Sequence, residues 1–254
     1  MKPTLPTLLL AALFAGCAPK QPPAAPAAPQ SQWQSLFDGS TLAGWRTTGS
    51  AQWHVDQPEG WPPTIVGGQD GDPKRAGNLI TTEQFQNFEL ELEFMIDEYG
   101  KYNSGVYIRE GAQRGKNGYQ INIGRGAAGE YTGGVVITDA PGATPGTPTW
   151  LAKGDEADTI RKPLAWNSMR ILADGPHIVV HLNGREVVNL TDTDPRRDPR
   201  YFQKGSIALQ TYGAEGHAGW VKFRNLRIRK RPDTPVPTTA PTNPTVSTVT
   251  GSPE

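Results

Sequence analysis

The sequence predicts an all-β protein: two antiparallel sheets packed face to face, a jelly-roll sandwich rather than an open barrel. Three observations carry this expectation. Strand-period alternation recurs at hairpin spacing through residues 33–230, with no βαβ rhythm and no sustained helical period. Glycine (29) and proline (24) are abundant, as a chain of short strands and turns requires. Trimming both ends of the 254-residue chain leaves about 200 residues, enough for one well-buried β domain.

Residues 85–124 organise the rest. Phe88, Leu90, Leu92, Phe94 and Ile96 alternate with Glu89, Glu91, Glu93 and Met95, the period of a half-buried strand with an acidic outer face. After a turn over residues 99–103, Val106 and Ile108 take the inward places and leave Gly105, Tyr107 and Arg109 for the opposite face. A second turn leads to Tyr119, Ile121 and Ile123 alternating with Gln120 and Asn122. Tyr107, Arg109, Gln120 and Asn122 therefore predict a row of hydrogen-bonding side chains on one sheet face. Sugars need such a surface, because they offer hydroxyls to planar polar groups and C–H faces to aromatic rings.

The other elements follow in order. The domain begins at Trp33, and SLFDGSTLAGW at residues 35–45 contains an Asp38-Gly39 turn. Trp53, Val55 and Ile65 mark short strands. Asp70 and Asp72 are oxygen ligands of the kind calcium prefers, but their spacing matches no calcium loop, so a solvated turn is expected there. Residues 124–150 are rich in Gly, Pro and Thr and hold Glu130, Tyr131, Asp139 and Trp150 around a short strand at Val135–Ile137, the pattern of an ordered site loop. Ile178, Val180 and Leu182 alternate with His177, Val179 and His181 before an Asn183-Gly184 hairpin turn, and both histidines read as structural. Ile207, Leu209 and Thr211 alternate with Ala208, Gln210 and Tyr212. Val221 and Phe223 fall out of phase with Leu226 and Ile228, which predicts a β-bulge near Arg224-Asn225. Residues 18–32 read as a Pro/Ala-rich tether and residues 231–254 as a disordered Pro/Thr-rich tail.

Acidic and basic groups balance at 25 each, and no basic run exceeds residues 229–231, which argues against a nucleic-acid partner. The single cysteine, Cys17, leaves no disulfide within the chain and no thiolate metal cluster. It follows a weakly positive start at Lys2 and an apolar stretch at residues 5–14. The sequence Phe14-Ala15-Gly16-Cys17 resembles a bacterial lipoprotein signal, with Phe14 in place of the usual leucine. That resemblance implies that residues 1–17 are a signal segment whose cysteine is lipidated, with Ala18 directing the protein to the outer membrane of the cell envelope. An ordinary secretory signal cut nearby is the other reading.

FDGSTLAGW, NFELELEF, NSGVYIRE, GYQINIG, TGGVV, AWNSMRI, VVHLNG, GSIALQTYG and VKFRNLRIRK occur in this order between Leu36 and Lys230. Together they resemble the successive motifs of the 3-keto-disaccharide hydrolase family. The resemblance implies a concanavalin-like jelly roll that splits the glycosidic bond of sugars oxidised at C3. A ketone at C3 acidifies the C2 hydrogen, so a general base can remove it while the C1 substituent leaves; water then adds, for net hydrolysis. The route needs a base, a stabiliser for the enolate oxygen and an acid for the leaving group. A divalent ion would stabilise the enolate, but no compact cluster of His and carboxylate demands one.

Members of the family commonly carry a carboxylate where this chain has Gln120 or Asn122, and His-Gly where Tyr212-Gly213 stands. The catalytic group is therefore expected among Glu110, Glu130 and His217. Tyr107, Arg109, Tyr119, Gln120, Asn122, Gln210 and Tyr212 are the expected contacts to an oxidised sugar or glycan. Trp166, Asn167, Asn183, Arg224 and Asn225 match family positions but read as hairpin and core supports. The amides at Gln120 and Asn122 also admit a second reading, a carbohydrate-binding lipoprotein that keeps the fold without the reaction.

Overall fold

In the computed structural model, the described residues are 32–68, 76–98, 103–111, 118–124, 129–144, 146–212 and 219–235. Their strands are β1 (Gln34–Ser35), β2 (Trp45–Gly49), β3 (Trp53–Asp56), β4 (Thr64–Gly68), β5 (Gly77–Phe85), β6 (Phe88–Ile96), β7 (Asn103–Glu110), β8 (Tyr119–Ile123), β9 (Val135–Ile137), β10 (Thr149–Ala152), β11 (Asn167–Asp174), β12 (His177–Leu182), β13 (Arg185–Thr191), β14 (Gly205–Tyr212) and β15 (Trp220–Lys230). One sheet runs β13-β12-β11-β6-β15-β4-β3, with β1 also paired to β15. The other runs β10-β9-β8-β7-β14-β5-β2, and the pairings are antiparallel. This is the two-sheet jelly roll that the alternation predicts.

The inward residues fuse into one core. Phe88, Leu90, Leu92, Phe94 and Ile96 of β6 meet Val106, Ile108, Ile121 and Ile123 of the facing sheet, all at most 2% exposed. The β6 glutamates turn outward and each meets arginines across the strand. Glu89 pairs with Arg170, Arg229 and Arg231, Glu91 with Arg227, and Glu93 with Arg224. Burial raises the Glu89 carboxyl, but the hydrogen bonds and charges of Arg170 and Arg229 outweigh it and hold the group below its ordinary range.

Two backbone devices appear where the sequence signals them. Asn183 (φ 50°) and Gly184 (φ 81°) form the left-handed turn between β12 and β13. Asn183 also donates to Ile160 O and to Asn167 Oδ1, so this loop position supports its neighbours. Asn225 (φ 54°) marks the register shift between Arg224 and Arg227 that returns Leu226 and Ile228 to the core. Residues 231–235, expected to begin the tail, are instead tied to the domain: Asn87 donates to Pro232 O at 2.8 Å and Gln86 to Thr234 O at 2.8 Å.

A third device has no sequence signal. Arg109 has φ 56°, and at this point two residues of β7 oppose one of β14, between the pairs Tyr107–Ala208 and Glu110–Ser206. The bulge reverses the alternation, so Arg109 points into the sandwich and is fully buried, contrary to the outward place that alternation assigns it. Its guanidinium donates to Gln86 O (2.8 Å), Gly175 O (2.8 Å) and Asn87 Oδ1 (3.3 Å), joining β7 to the β5–β6 turn that crosses between the sheets and to the turn after β11 of the facing sheet. Burial lowers its pKa to about 10, so it remains charged at neutral pH.

Replacing Arg109 should orphan these buried acceptors. Arg109→Ala is expected to cost about 3–5 kcal/mol in denaturant unfolding. Arg109→Gly should recover about 1 kcal/mol of that loss, because glycine removes the left-handed backbone strain; equal stability of the two variants would contradict this account.

Candidate active site

The outer face of the second sheet carries the polar row. Register places Ile80, Ala208, Tyr107, Gln120, Val136 and Trp150 in one line across β5, β14, β7, β8, β9 and β10. Asn78, Gln210, Gly105 and Asn122 form the adjacent line. Gln120 Nε2 donates to Gln210 Oε1 (2.8 Å), and Gln210 Nε2 donates to the Tyr107 hydroxyl (3.2 Å). Tyr107 thereby keeps its own O–H proton for another acceptor. Gly105 is needed beneath this chain, since a Cβ there would come within 2.5 Å of Gln120 Nε2. Asn122 accepts from Asn103 (3.1 Å) and donates to Tyr131 O (3.4 Å).

Glu110 stands beside Tyr107 because of the Arg109 bulge. Uninterrupted alternation would send Glu110 inward; the extra residue returns it to the outer face. Oε1 accepts from Asn78 Nδ2 at 3.4 Å, while Oε2 is buried and has no hydrogen-bond partner among the described residues. Burial raises the Glu110 pKa, and the Asn78 hydrogen bond and the charge of Arg46 offset this only in part. Tyr107, 4% exposed, has its pKa raised by burial and by the Glu110 charge, so it stays a neutral donor. A carboxylate with spare acceptor capacity next to a phenol with a spare proton can exchange a proton with a bound molecule.

The other expected contacts divide. Gln120, Asn122, Gln210 and Tyr212 lie on this face, with Tyr212 54% exposed. Tyr119 does not: its ring is in the core against Tyr201, and its hydroxyl donates to Asp192 at 2.9 Å. Inward alternation with Ile121 and Ile123 prevails over the sugar-binding habit of a phenol. Glu130 is half-buried and its backbone covers Gly124 at the end of β8, on the same outer side as Asn122. His217, Cys17, Asp70 and Asp72 lie outside the described residues. Sequence reading misses Asn78 and Arg46, which neighbour Glu110; it puts Trp150 in the site loop but not in the line one strand beyond Val136, which depends on a non-local pairing. Among the described residues no group of three or more His, Cys, Asp or Glu is arranged to hold a metal ion.

A groove of about 1100 Å³ opens on the outer face of the first sheet, lined by Trp33, Phe37, Glu91, Glu93, Arg170 and Arg227 among others. Glu91 and Glu93 face arginines in the cross-strand pairs already described, and Asp38 in the same lining accepts from Ser40 and Thr41, so the groove's carboxylates are already satisfied within the surface. The unpaired oxygen lies on the other face.

The fold and this face define a two-sheet jelly-roll protein with a polar cross-strand surface and the Glu110 carboxyl group at its edge. The family described as the 3-keto-alpha-glucoside-1,2-lyase-like domain matches residues 32–229, and the chain belongs to that family. A 3-keto-disaccharide hydrolase of Bacteroides thetaiotaomicron is 34% identical over 101 residues, a match covering 34% of this chain and 31% of that protein. The chain thus matches about a third of that relative's length. Among solved structures, the carbohydrate-binding module CBM66 of Bacillus subtilis covers 75% of this chain and 98% of its own at 19% identity, with a TM-score of 0.52. A Bacillus subtilis protein of unknown function with a galectin-like fold covers 78% and 94% at 14% identity, with a TM-score of 0.55. At such identities these structures speak for the fold alone.

The raised pKa of Glu110 fixes a sign. Folding favours its protonated form, so its stability cost is absent below the ordinary value of 4.5 and grows as pH rises from 4.5 through the higher folded value. Glu110→Gln should therefore melt higher than wild type at pH 7–8, with the gain vanishing below about pH 4.5. A gain independent of pH would contradict this assignment.

Proposed function

We propose that the protein cleaves the glycosidic bond of 3-keto-glycosides by elimination followed by hydration, with Glu110 as the base. Family membership supports the reaction class, and the buried Glu110 Oε2 beside Tyr107, without a hydrogen-bond partner among the described residues, is the observation that carries the assignment. Glu110 takes the C2 proton, the C2–H electrons form the enolate towards the C3 oxygen, and the C1–O bond then breaks. Tyr107 donates a hydrogen bond to the enolate oxygen. The departing oxygen takes a proton from water, the hydroxide so formed adds at C1 of the enone, and Glu110 returns its proton to C2, for net hydrolysis. The raised pKa of Glu110 brings it nearer the working pH of a general base. Gln120, Gln210 and Asn122 hold the sugar hydroxyls; Tyr212 is placed to meet a C–H face.

The amides of the row also suit a binding protein without turnover, and saturable binding of intact glycans with no product would favour that reading. We further propose that Cys17 carries the lipid that anchors the protein in the cell envelope, facing the periplasm or the cell surface. Cys17→Ser should abolish palmitate labelling and release the protein from the membrane fraction; unchanged labelling would overturn the anchor.

Purified protein should release 3-keto-glucose from a 3-keto-glucoside, and Glu110→Gln should lower kcat at least about a hundredfold. No turnover by wild type, with or without added divalent ions, would remove the catalytic reading; full activity in Glu110→Gln would move the base elsewhere.

A further inference from the structure

The outer face of the second sheet continues past the polar row to an aromatic corner. Trp150 follows Gln120 and Val136 in the same cross-strand line, and a Cβ at Gly134 would come within 2.7 Å of its Cζ3, so the indole lies over Gly134. Tyr131 meets it edge to face, with centroids 5.0 Å apart at 75°, and Lys153 Nζ sits 4.9 Å over the Tyr131 ring. Both rings are only half-buried. The Asn122 amide joins the corner to the row through Tyr131 O.

We propose that the Tyr131–Trp150 corner is the subsite for the departing sugar ring, so that the enzyme prefers linked pyranoses over glycosides with small alkyl groups. The inference rests on the proposed elimination and adds its leaving-group specificity. Glu110 lies on the β5/β14 side of Tyr107, where it contacts Asn78, whereas the aromatic corner lies on the β8–β10 side. The base and the corner are therefore on opposite sides of the ring that Tyr107 would hold. An elimination across C1–C2 needs this polarity: a base at C2, and room beyond C1 for what leaves. Three strand spacings separate β7 from β10, about 14 Å, so a second ring linked to the first would come against the half-buried indole at the edge of the row. Aromatic rings offer a pyranose its preferred apolar contact, while Asn122 offers a polar one.

The test is the ratio of kcat/KM for 3-keto-trehalose to that for methyl 3-keto-glucoside. Trp150→Ala is expected to lower this ratio about fivefold, and Trp150→Phe to retain most of it. General damage to the sheet lowers both rates and leaves the ratio intact, so an unchanged ratio in Trp150→Ala overturns the subsite. If wild-type protein turns over neither compound, the elimination reading falls and calorimetry decides the subsite separately. Tighter binding of trehalose than of glucose, lost in Trp150→Ala, supports it; equal binding of the two sugars by wild type overturns it.

Discussion

The left-handed backbone at Arg109 is the constraint on which the candidate site depends. An arginine there costs roughly a kcal/mol of backbone strain, and its burial costs more. The three hydrogen bonds to Gln86, Gly175 and Asn87 offset both and close one end of the sandwich. The same residue turns the strand over by one place. Without that shift, Glu110 would enter the core and Arg109 would stand on the outer face of the second sheet. A structural anchor and the outward placement of the Glu110 carboxylate thus arise from one bulge, as bulges often re-aim a side chain.

The two outer faces show what the same alternation can produce. On the first sheet, Glu89, Glu91 and Glu93 all meet arginines, and Glu89 is held below its usual pKa range. Exposed pairs of this kind contribute about 0–1 kcal/mol each, though a shared network around a buried carboxylate such as Glu89 does more. On the second sheet, Glu110 has one weak amide partner and a pKa pushed the other way. One surface has its charges neutralised; the other keeps a group with unfilled hydrogen-bonding capacity. That contrast, rather than groove volume, is what favours the second face as the candidate site.

The sandwich was legible because alternation is a local signal. Residues 88–96, the Asn183-Gly184 turn and the phase slip at Arg224-Asn225 each declare themselves within a few positions. The row formed by Tyr107, Gln120, Asn122 and Gln210 follows from the same rule. Arg109 escaped it, since a positive φ at an arginine has no composition cue and its partners lie 22 to 66 residues away. Tyr119 was legible as inward by phase, yet its chemistry suggested a ligand; only Asp192, 73 positions on, shows how its hydroxyl is satisfied. Trp150 and Asn78 needed the strand order, which no local pattern supplies.

The placement of Glu110 and Glu130, the two candidate carboxylates among the described residues, bears on the proposed reaction. Glu130 backs onto Gly124, beyond the end of β8, while Glu110 ends β7 in the opposite direction. About seven strand steps lie between their backbones, on the order of 20 Å. Ordinary glycosidases hold their acid and base roughly 5–10 Å apart across one bond, so these two do not form such a pair. A single base beside a neutral phenol is insufficient for an unactivated glycoside. In the proposed elimination the substrate's own ketone has already weakened the C2–H bond, and the demands are a base, a donor to the enolate oxygen and an acid for the departing oxygen. Glu110 and Tyr107 are proposed to meet the first two, with water supplying the third.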